Sequence, residues 1–462
     1  MITSTPIRLD PGLRVHLMGV GGVGMSALAA ILARRGVTVS GSDRAESPRL
    51  DELRALGVRV HVPQVAGGAG DADLVVISTA IPEDNPELRD VRARGLTVRH
   101  RSELLAAVID GLGKVAVSGT HGKTTSTAML ATIMLECERD PTAIVGGDAV
   151  NLGGNYHCGA EPVAIFEACE SDRSFLRYGP CSEVITNVEA DHLDQHGDFA
   201  AVCRAFEQFI ALVPDDGFLV YGAECEVLAQ MALGARGERI ACGLCEGVAF
   251  GAEQIELQPF GASFRVLVEG REAGPAELRV PGEHNVRNAL GALAAATRLG
   301  LPVEGAIEAL RQFRGVGRRF ELLGTLADAL VIDDYAHHPT EVAATLAATR
   351  RGWPGRRIIA VFQPHLYSRT RDFMEGFARA LAGADVVIVA EIYAAREDPI
   401  EGVRAEDLAA RVKRHAPDRD VRFIADRDEI AAAVRAIARP GDLILTLGAG
   451  DIRLVGEELA RP

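Results

Sequence analysis

Short β-branched runs alternate with longer Ala/Leu-rich stretches from one end of the chain to the other. That alternation predicts α/β layering around parallel sheets. The first block has expected strands at 14–18, 37–40, 74–78 and 97–100, with a helix at 25–34. Gly111-Leu-Gly-Lys114 then punctuates the chain, and a strand at 115–118 opens a second block, followed by a helix at 126–135. Further strands are expected at 163–167, 183–186 and 218–221. A stretch of alternating polarity over 250–268 reads as a small antiparallel sheet, and a helix follows at 285–299. Phe313-Arg-Gly-Val-Gly-Arg-Arg319 reads as a second hinge. The third block has expected strands at 329–333, 358–362, 386–390 and 443–447. Three α/β domains follow, at 1–110, 111–317 and 318–462.

Composition narrows the function classes. With 48% apolar and 24% charged residues in 462, the chain is an ordinary globular protein, and general disorder is excluded. A formal charge of −15 argues against broad nucleic-acid binding or attachment to an anionic membrane, while leaving room for a local basic pocket. No apolar run approaches the roughly 20 residues that span a bilayer. The opening MITSTPIRLDPG lacks the basic and apolar regions of a secretory leader, so a cytoplasmic location is expected. Eight cysteines, all between Cys137 and Cys245, are too few for a disulfide scaffold, and Cys242-Gly-Leu-Cys245 has no second pair at zinc-ribbon spacing.

Five motifs carry possible chemistry. Gly19-Val-Gly21-Gly22-Val-Gly24 lies between an expected strand and helix, with Ser42-Asp43 at the end of the next strand. Glycines there let backbone N–H groups approach a diphosphate, and the acid can hold a ribose hydroxyl, which leaves a dinucleotide and another nucleotide diphosphate equally open. Gly119-Thr120-His121-Gly122-Lys123-Thr124-Thr125 again sits between strand and helix. Its amides can cradle phosphate, Lys123 can neutralise it, and the Thr124 hydroxyl can reach Mg²⁺, although Val117 stands where a standard P-loop has glycine. Two nucleotide loops disfavour a simple dehydrogenase, which needs one.

Glu167 ends one expected strand and Asp191-His192 follow another, so both fall on the rim that carries the phosphate loop. A carboxylate and an imidazole there suit Mg²⁺ bridging ATP and a second substrate, with Glu170, Ser171 and Asp172 crowding the same edge. In Gly282-Glu-His284-Asn285-Val-Arg-Asn288, helix capping accounts for the first asparagine, and Asn288 with His284 suggests a nucleotide-contacting face. Asp333-Asp334-Tyr335-Ala-His337-His338-Pro339-Thr340 and Gln363-Pro-His365-Leu-Tyr367-Ser-Arg369-Thr-Arg371 each follow a strand. They offer acid–base groups in Asp334 and the histidines, and carboxylate or phosphate clamps in Arg369 and Arg371.

In order along the chain, these motifs, with Glu-x-x-Glu-Ser-Asp from Glu167, Asn-Val-Glu-Ala-Asp-His from Asn187 and Gly-Arg-Arg-Phe from Gly317, closely resemble the Mur ligase family, and within it the members that add alanine. The resemblance implies a Rossmann-like UDP-sugar domain, a central P-loop ATPase-type domain and a Rossmann-like domain that receives the amino acid. It implies a ligase that uses ATP and Mg²⁺, as two ions, to join L-alanine to UDP-N-acetylmuramate through an acyl phosphate, as a monomer or homodimer. Carried over by position, Gly19, Gly21, Gly22, Gly24, Ser42, Asp43 and Ser171 would bind the UDP-sugar. The loop Gly119–Thr125 with His284, Asn285, Asn288, Arg319 and Asp334 would bind ATP, and Thr124, Glu167 and His192 the metal. Lys123, Glu167, His192, Arg319, Asp334 and His337 would be catalytic, and Tyr335, His337, Arg369 and Arg371 would face the amino acid and carboxylate. No lysine lies between Lys123 and Lys413, so the carbamylated lysine of sibling ligases is absent. Leu366 stands where many relatives have arginine, and Ala336 where glycine is common. The alternatives are a ligase that recycles a preformed tripeptide onto the same sugar and an NAD-linked oxidoreductase.

Overall fold

The computed structural model describes residues 6–461, so the start of the segment read for a leader lies outside the described residues. Among those described, the strands form three sheets, as the α/β reading expects. The first sheet is wholly parallel, in the order Arg59–His61, Thr38–Ser42, Arg14–Met18, Leu74–Ile77, Thr97–His100. Its order reverses beside Arg14–Met18, which opens a crevice at the carboxyl ends of the strands, where the first glycine loop sits.

The second sheet has ten strands. Its centre is parallel, with Gly113–Ser118 flanked by Val163–Glu167 and Ser182–Ile185. The alternating stretch forms three antiparallel strands, Phe250–Gln258, Gly261–Val268 and Arg271–Leu278. They are not a separate sheet: Cys242 pairs with Phe250, so they extend the parallel sheet at its edge. The third strand escapes the sequence pattern because Gly274 and Pro275 interrupt it, which an edge strand tolerates. The third sheet has six strands, parallel apart from Glu321–Leu326 at one edge.

Apolar helices cover these sheets. Helix Lys123–Glu136 buries almost every residue and packs beside helix Glu283–Arg298. It begins three residues earlier than its apolar pattern suggests, because Gly122, at φ +83°, turns the chain so that the polar Lys-Thr-Thr forms the first turn. No helix among the described residues is long and apolar enough to cross a membrane.

Side chains cross between the sheets. Arg49 pairs with Asp148 at 2.7 Å, Arg369 with Asp191 at 2.8 Å, and Phe260 meets Trp353 edge to face. A cleft of about 1260 Å³ lies between the three parts, and a smaller cavity of about 360 Å³ lies behind the phosphate loop.

Candidate active site

The first glycine loop is tied to the strand beside it. Gly19 and Val20 donate to the Ser42 carbonyl, and the Gly21 amide donates to Asp43 Oδ2 at 2.8 Å. A Cβ on Gly21 would stand 2.9 Å from that oxygen, so glycine is required for the close approach. Asp43 therefore braces the turn. Gly21 lines the cleft, and Arg49 and Arg279 stand along the same wall. The Ser42 hydroxyl points inward, donating to Glu87, which also bonds His16. Gly24 packs against Arg101, and Ser171 sits beside the Cys169 thiol at 3.1 Å. Of the residues carried over for the UDP-sugar, Gly21 lines the cleft and Gly19, Gly22, Gly24, Ser42, Asp43 and Ser171 do not.

The phosphate loop is stitched to the segment after strand Ser182–Ile185. Thr120 N–H donates to the Asn187 carbonyl, His121 N–H to Asn187 Oδ1, and the Thr186 hydroxyl to the His121 carbonyl. Gly119, at φ +127°, has no room for a Cβ, which would lie 2.2 Å from Thr186 Oγ1. Lys123 Nζ donates to the Gly119 and Thr120 carbonyls and to Glu170 Oε1 at 3.0 Å. Burial is the strongest single influence and works against its charge, but Glu170, Cys169 and Glu167 together outweigh it and keep the ammonium protonated.

Glu167 projects from the end of its strand into the cleft and accepts the Gly146 amide at 3.0 Å. His192, in the left-handed region at φ +51°, reaches the same cleft. Its Nδ1 is buried without a partner, as is Glu170 Oε2. Carboxylate oxygens and an imidazole nitrogen with open lone pairs, in the cleft that Thr124 also lines, are donors that fit Mg²⁺. Burial pulls His192 down to about 4, the neutral form that a metal ligand needs.

Behind the loop, His284, Asn285 and Asn288 line the smaller cavity with His121, Gly122, Thr124 and Thr125. The helix starts at Glu283 with Gly282 as its cap, so Asn285 is not the cap that the sequence suggests. Its side-chain amide donates to the Pro281 carbonyl and its oxygen accepts from Asn288 Nδ2. A Cβ on Gly122 would lie 2.4 Å from Asn288 Oδ1, so this asparagine packs directly on the phosphate loop. His284 is partly buried, and desolvation of its ring holds it down to about 4.

The third sheet contributes from the opposite wall. Asp334 accepts the Phe320 and Ala336 amides at 3.0 and 2.8 Å and lines the smaller cavity, with burial pushing its carboxyl up to about 7. Tyr335 lies under the guanidinium groups of Arg318 and Arg319, 4.7 and 5.1 Å from its ring centre, and faces the cleft with His337. Arg369 is buried against Asp191, donating from Nε and Nη2 to one oxygen. Arg371 is exposed, pairs with Asp372 and lines neither cavity.

Sequence reasoning passed over Glu341. Its carboxylate takes His121 Nδ1–H at 3.1 Å and the His337 amide at 3.0 Å, and lies 3.7 Å from Arg319. The signal was present as a capping box, His338 at the helix start with Glu341 three residues on, but its reach across to the phosphate loop is a tertiary fact. Five arginines that line the cleft were also unread: Arg49, paired with Asp148, Arg318 and Arg453, both paired with Asp333, and Arg279 and Arg314.

A cleft lined by arginines, joined at a phosphate loop to a smaller cavity, defines an α/β enzyme site that handles a nucleotide and a second anionic substrate. The comparisons agree with that class. Residues 14–111 match the description "Mur ligase family, catalytic domain", 117–296 "Mur ligase middle domain" and 318–450 "Mur ligase, glutamate ligase domain". A UDP-N-acetylmuramate–L-alanine ligase of Kineococcus radiotolerans is 46% identical over 96% of this chain and 95% of that protein. One from Geotalea daltonii is 41% identical over 96% and 97%. The crystal structure of a UDP-N-acetylmuramate-alanine ligase from Thermotoga maritima, 30% identical, superposes with a TM-score of 0.83 over 97% of this chain and 98% of that one. The chain belongs to the Mur ligase family.

Proposed function

We propose that this chain is an ATP-dependent ligase that forms an amide between the carboxylate of UDP-N-acetylmuramate and L-alanine, in cytoplasmic peptidoglycan precursor synthesis. The observation that carries the mechanism is that the two cavities meet at the phosphate loop. Gly122, Thr124, Arg319 and Glu341 line both. ATP in the smaller cavity, against Asn285 and Asn288, presents its terminal phosphoryl group to a carboxylate held in the cleft.

A carboxylate approaching a phosphoryl group meets like-charge repulsion, and Lys123 and Arg319 supply compensating positive charge from two sides. Thr124, Glu167 and His192 would hold Mg²⁺, which would supply further positive charge against the phosphates. The carboxylate oxygen takes the γ-phosphoryl group and ADP leaves. The amine then attacks the acyl carbon, phosphate departs, and the ammonium proton is lost. Tyr335 and His337 face the cleft where the amino acid would enter. The arginines that line the cleft suit the diphosphate of the UDP-sugar. In this reading Asp43, Ser42 and Asp334 shape loops, and Arg369 positions Asp191 beside His192.

The test is phosphate release from ATP and Mg²⁺ with UDP-N-acetylmuramate, adding L-alanine, other amino acids or an L-Ala-D-Glu-containing tripeptide. Release with L-alanine alone supports the proposal. Release with tripeptide alone keeps the mechanism and assigns the recycling reaction. A folded sample that releases nothing with any acceptor refutes the ligase reading. Lys123→Ala should abolish turnover while UDP-sugar binding survives, and NADH binding by fluorescence would revive the oxidoreductase.

A further inference from the structure

Among the described residues, one cluster of ligating side chains lies apart from Thr124, Glu167 and His192. We infer that His121, Glu189 and His338 form a site for a divalent transition metal of the zinc type, which staples the phosphate loop to the start of helix Pro339–Gly352. One donor atom from each residue lies within 4.8 Å of the others. His121 Nε2 and His338 Nδ1 stand 3.6 and 3.9 Å from the same Glu189 oxygen, Oε2. Those separations are too long for hydrogen bonds. Ligands at the usual zinc distances sit about 3.3 Å apart in a tetrahedron, so small side-chain shifts suffice.

The surroundings prepare these atoms to ligate. His121 Nε2 is buried and has no hydrogen-bond partner, while its Nδ1 is engaged by Glu341 Oε1 at 3.1 Å. With Glu341 on Nδ1 and Glu189 3.6 Å from Nε2, the ring is held protonated between two carboxylates, so a metal here takes the place of the Nε2 proton. The Thr340 hydroxyl donates to Glu189 Oε2 at 2.7 Å and orients it. His338 is buried; its Nε2 donates to the Ala190 carbonyl at 3.2 Å, which leaves Nδ1, otherwise the acceptor of the Thr340 amide at 3.4 Å, as the ligating atom. Two imidazole nitrogens and one carboxylate oxygen favour zinc over Mg²⁺, with water completing the shell. His121 and Glu189 belong to the central sheet's loops and His338 to the third sheet's first helix, and His121 and Glu189 line the nucleotide cavity. Metal occupancy therefore holds these two parts together over that cavity.

The test uses the full chain, stripped of metal and nucleotide, titrated with Zn²⁺ against a chromogenic chelator, with X-ray absorption on the loaded protein. The expected result is one equivalent bound through nitrogen and oxygen donors. His338→Ala and Glu189→Ala should lose it, and Glu167→Gln should retain it. Glu341→Gln should bind about 10–100-fold more weakly, the usual effect of removing a group that orients a ligand. Absence of binding, binding unchanged in both His338→Ala and Glu189→Ala, or sulfur coordination from Cys242 and Cys245 would overturn the assignment. If either alanine variant fails to fold, as judged by circular dichroism, the absorption spectrum of the unsubstituted protein decides.

Discussion

Replacing Arg369 by methionine tests whether this arginine clamps substrate or holds the enzyme's own parts together. In the structure it donates Nε and Nη2 to Asp191 Oδ1, at 3.1 and 2.8 Å, and the two side chains are 5% and 7% exposed. The same Asp191 oxygen accepts the His192 amide at 2.7 Å, so the pair also orients the histidine of the metal site. The arginine depresses the Asp191 carboxyl far below the usual range against the pull of burial. Removing one partner of a buried ion pair costs about 3–5 kcal/mol, because the other is left charged and dry. That is roughly two to four orders of magnitude in an equilibrium constant. The two residues come from different sheets, so the stranded carboxylate can escape by opening the contact and hydrating. The cost should therefore appear first as loss of closure and only then as global unfolding. The expected result for Arg369→Met, and separately for Asp191→Asn, is a larger radius of gyration by small-angle scattering, with kcat reduced. The double variant should recover about 1–3 kcal/mol relative to additivity. Single effects that add within about 0.5 kcal/mol would refute the reasoning. So would an Arg369→Met enzyme with unchanged dimensions and stability whose KM for the amino acid alone rises, since that is the signature of a substrate clamp.

Three further outcomes follow from the geometry. Gly122→Ala places a Cβ 2.4 Å from Asn288 Oδ1 at φ +83°, where a side chain costs about 1–2 kcal/mol; the variant should fold and lose most ATP-dependent phosphate release, as a coupled assay would read. Gly146→Ala puts a Cβ within 2.3–2.6 Å of both Glu167 carboxylate oxygens, so the Mg²⁺ concentration for half-maximal activity should rise while UDP-sugar binding by calorimetry is retained. His284 titrates at about 4 when folded, because of burial, against 6.5 when unfolded. Its contribution, up to about 3 kcal/mol, is present above pH 6.5 and lost as pH falls toward 4, so His284→Gln should flatten the urea midpoint over that window, and an unchanged slope would count against it.

The sequence by itself determined the layering, most strand positions and the loops that carry chemistry. Those features depend on local physics. An apolar β-branched run is a buried strand wherever it is placed, and a glycine-rich turn between strand and helix presents its amides whatever surrounds it. Even the misses in the fold have local causes, such as the strand interrupted by Gly274 and Pro275. The tertiary structure decided what each polar side chain does once several are within reach. Asp43 satisfies the Gly21 amide, Ser42 turns inward to Glu87, and Arg369 is taken by Asp191. Arg371, two residues further on, remains in solvent. Glu341 was legible as a helix cap, but its bonds to His121 and His337 depend on two sheets meeting. A charge or hydrogen bond is satisfied by the nearest partner in space, and which partner is nearest is set by how the three sheets pack.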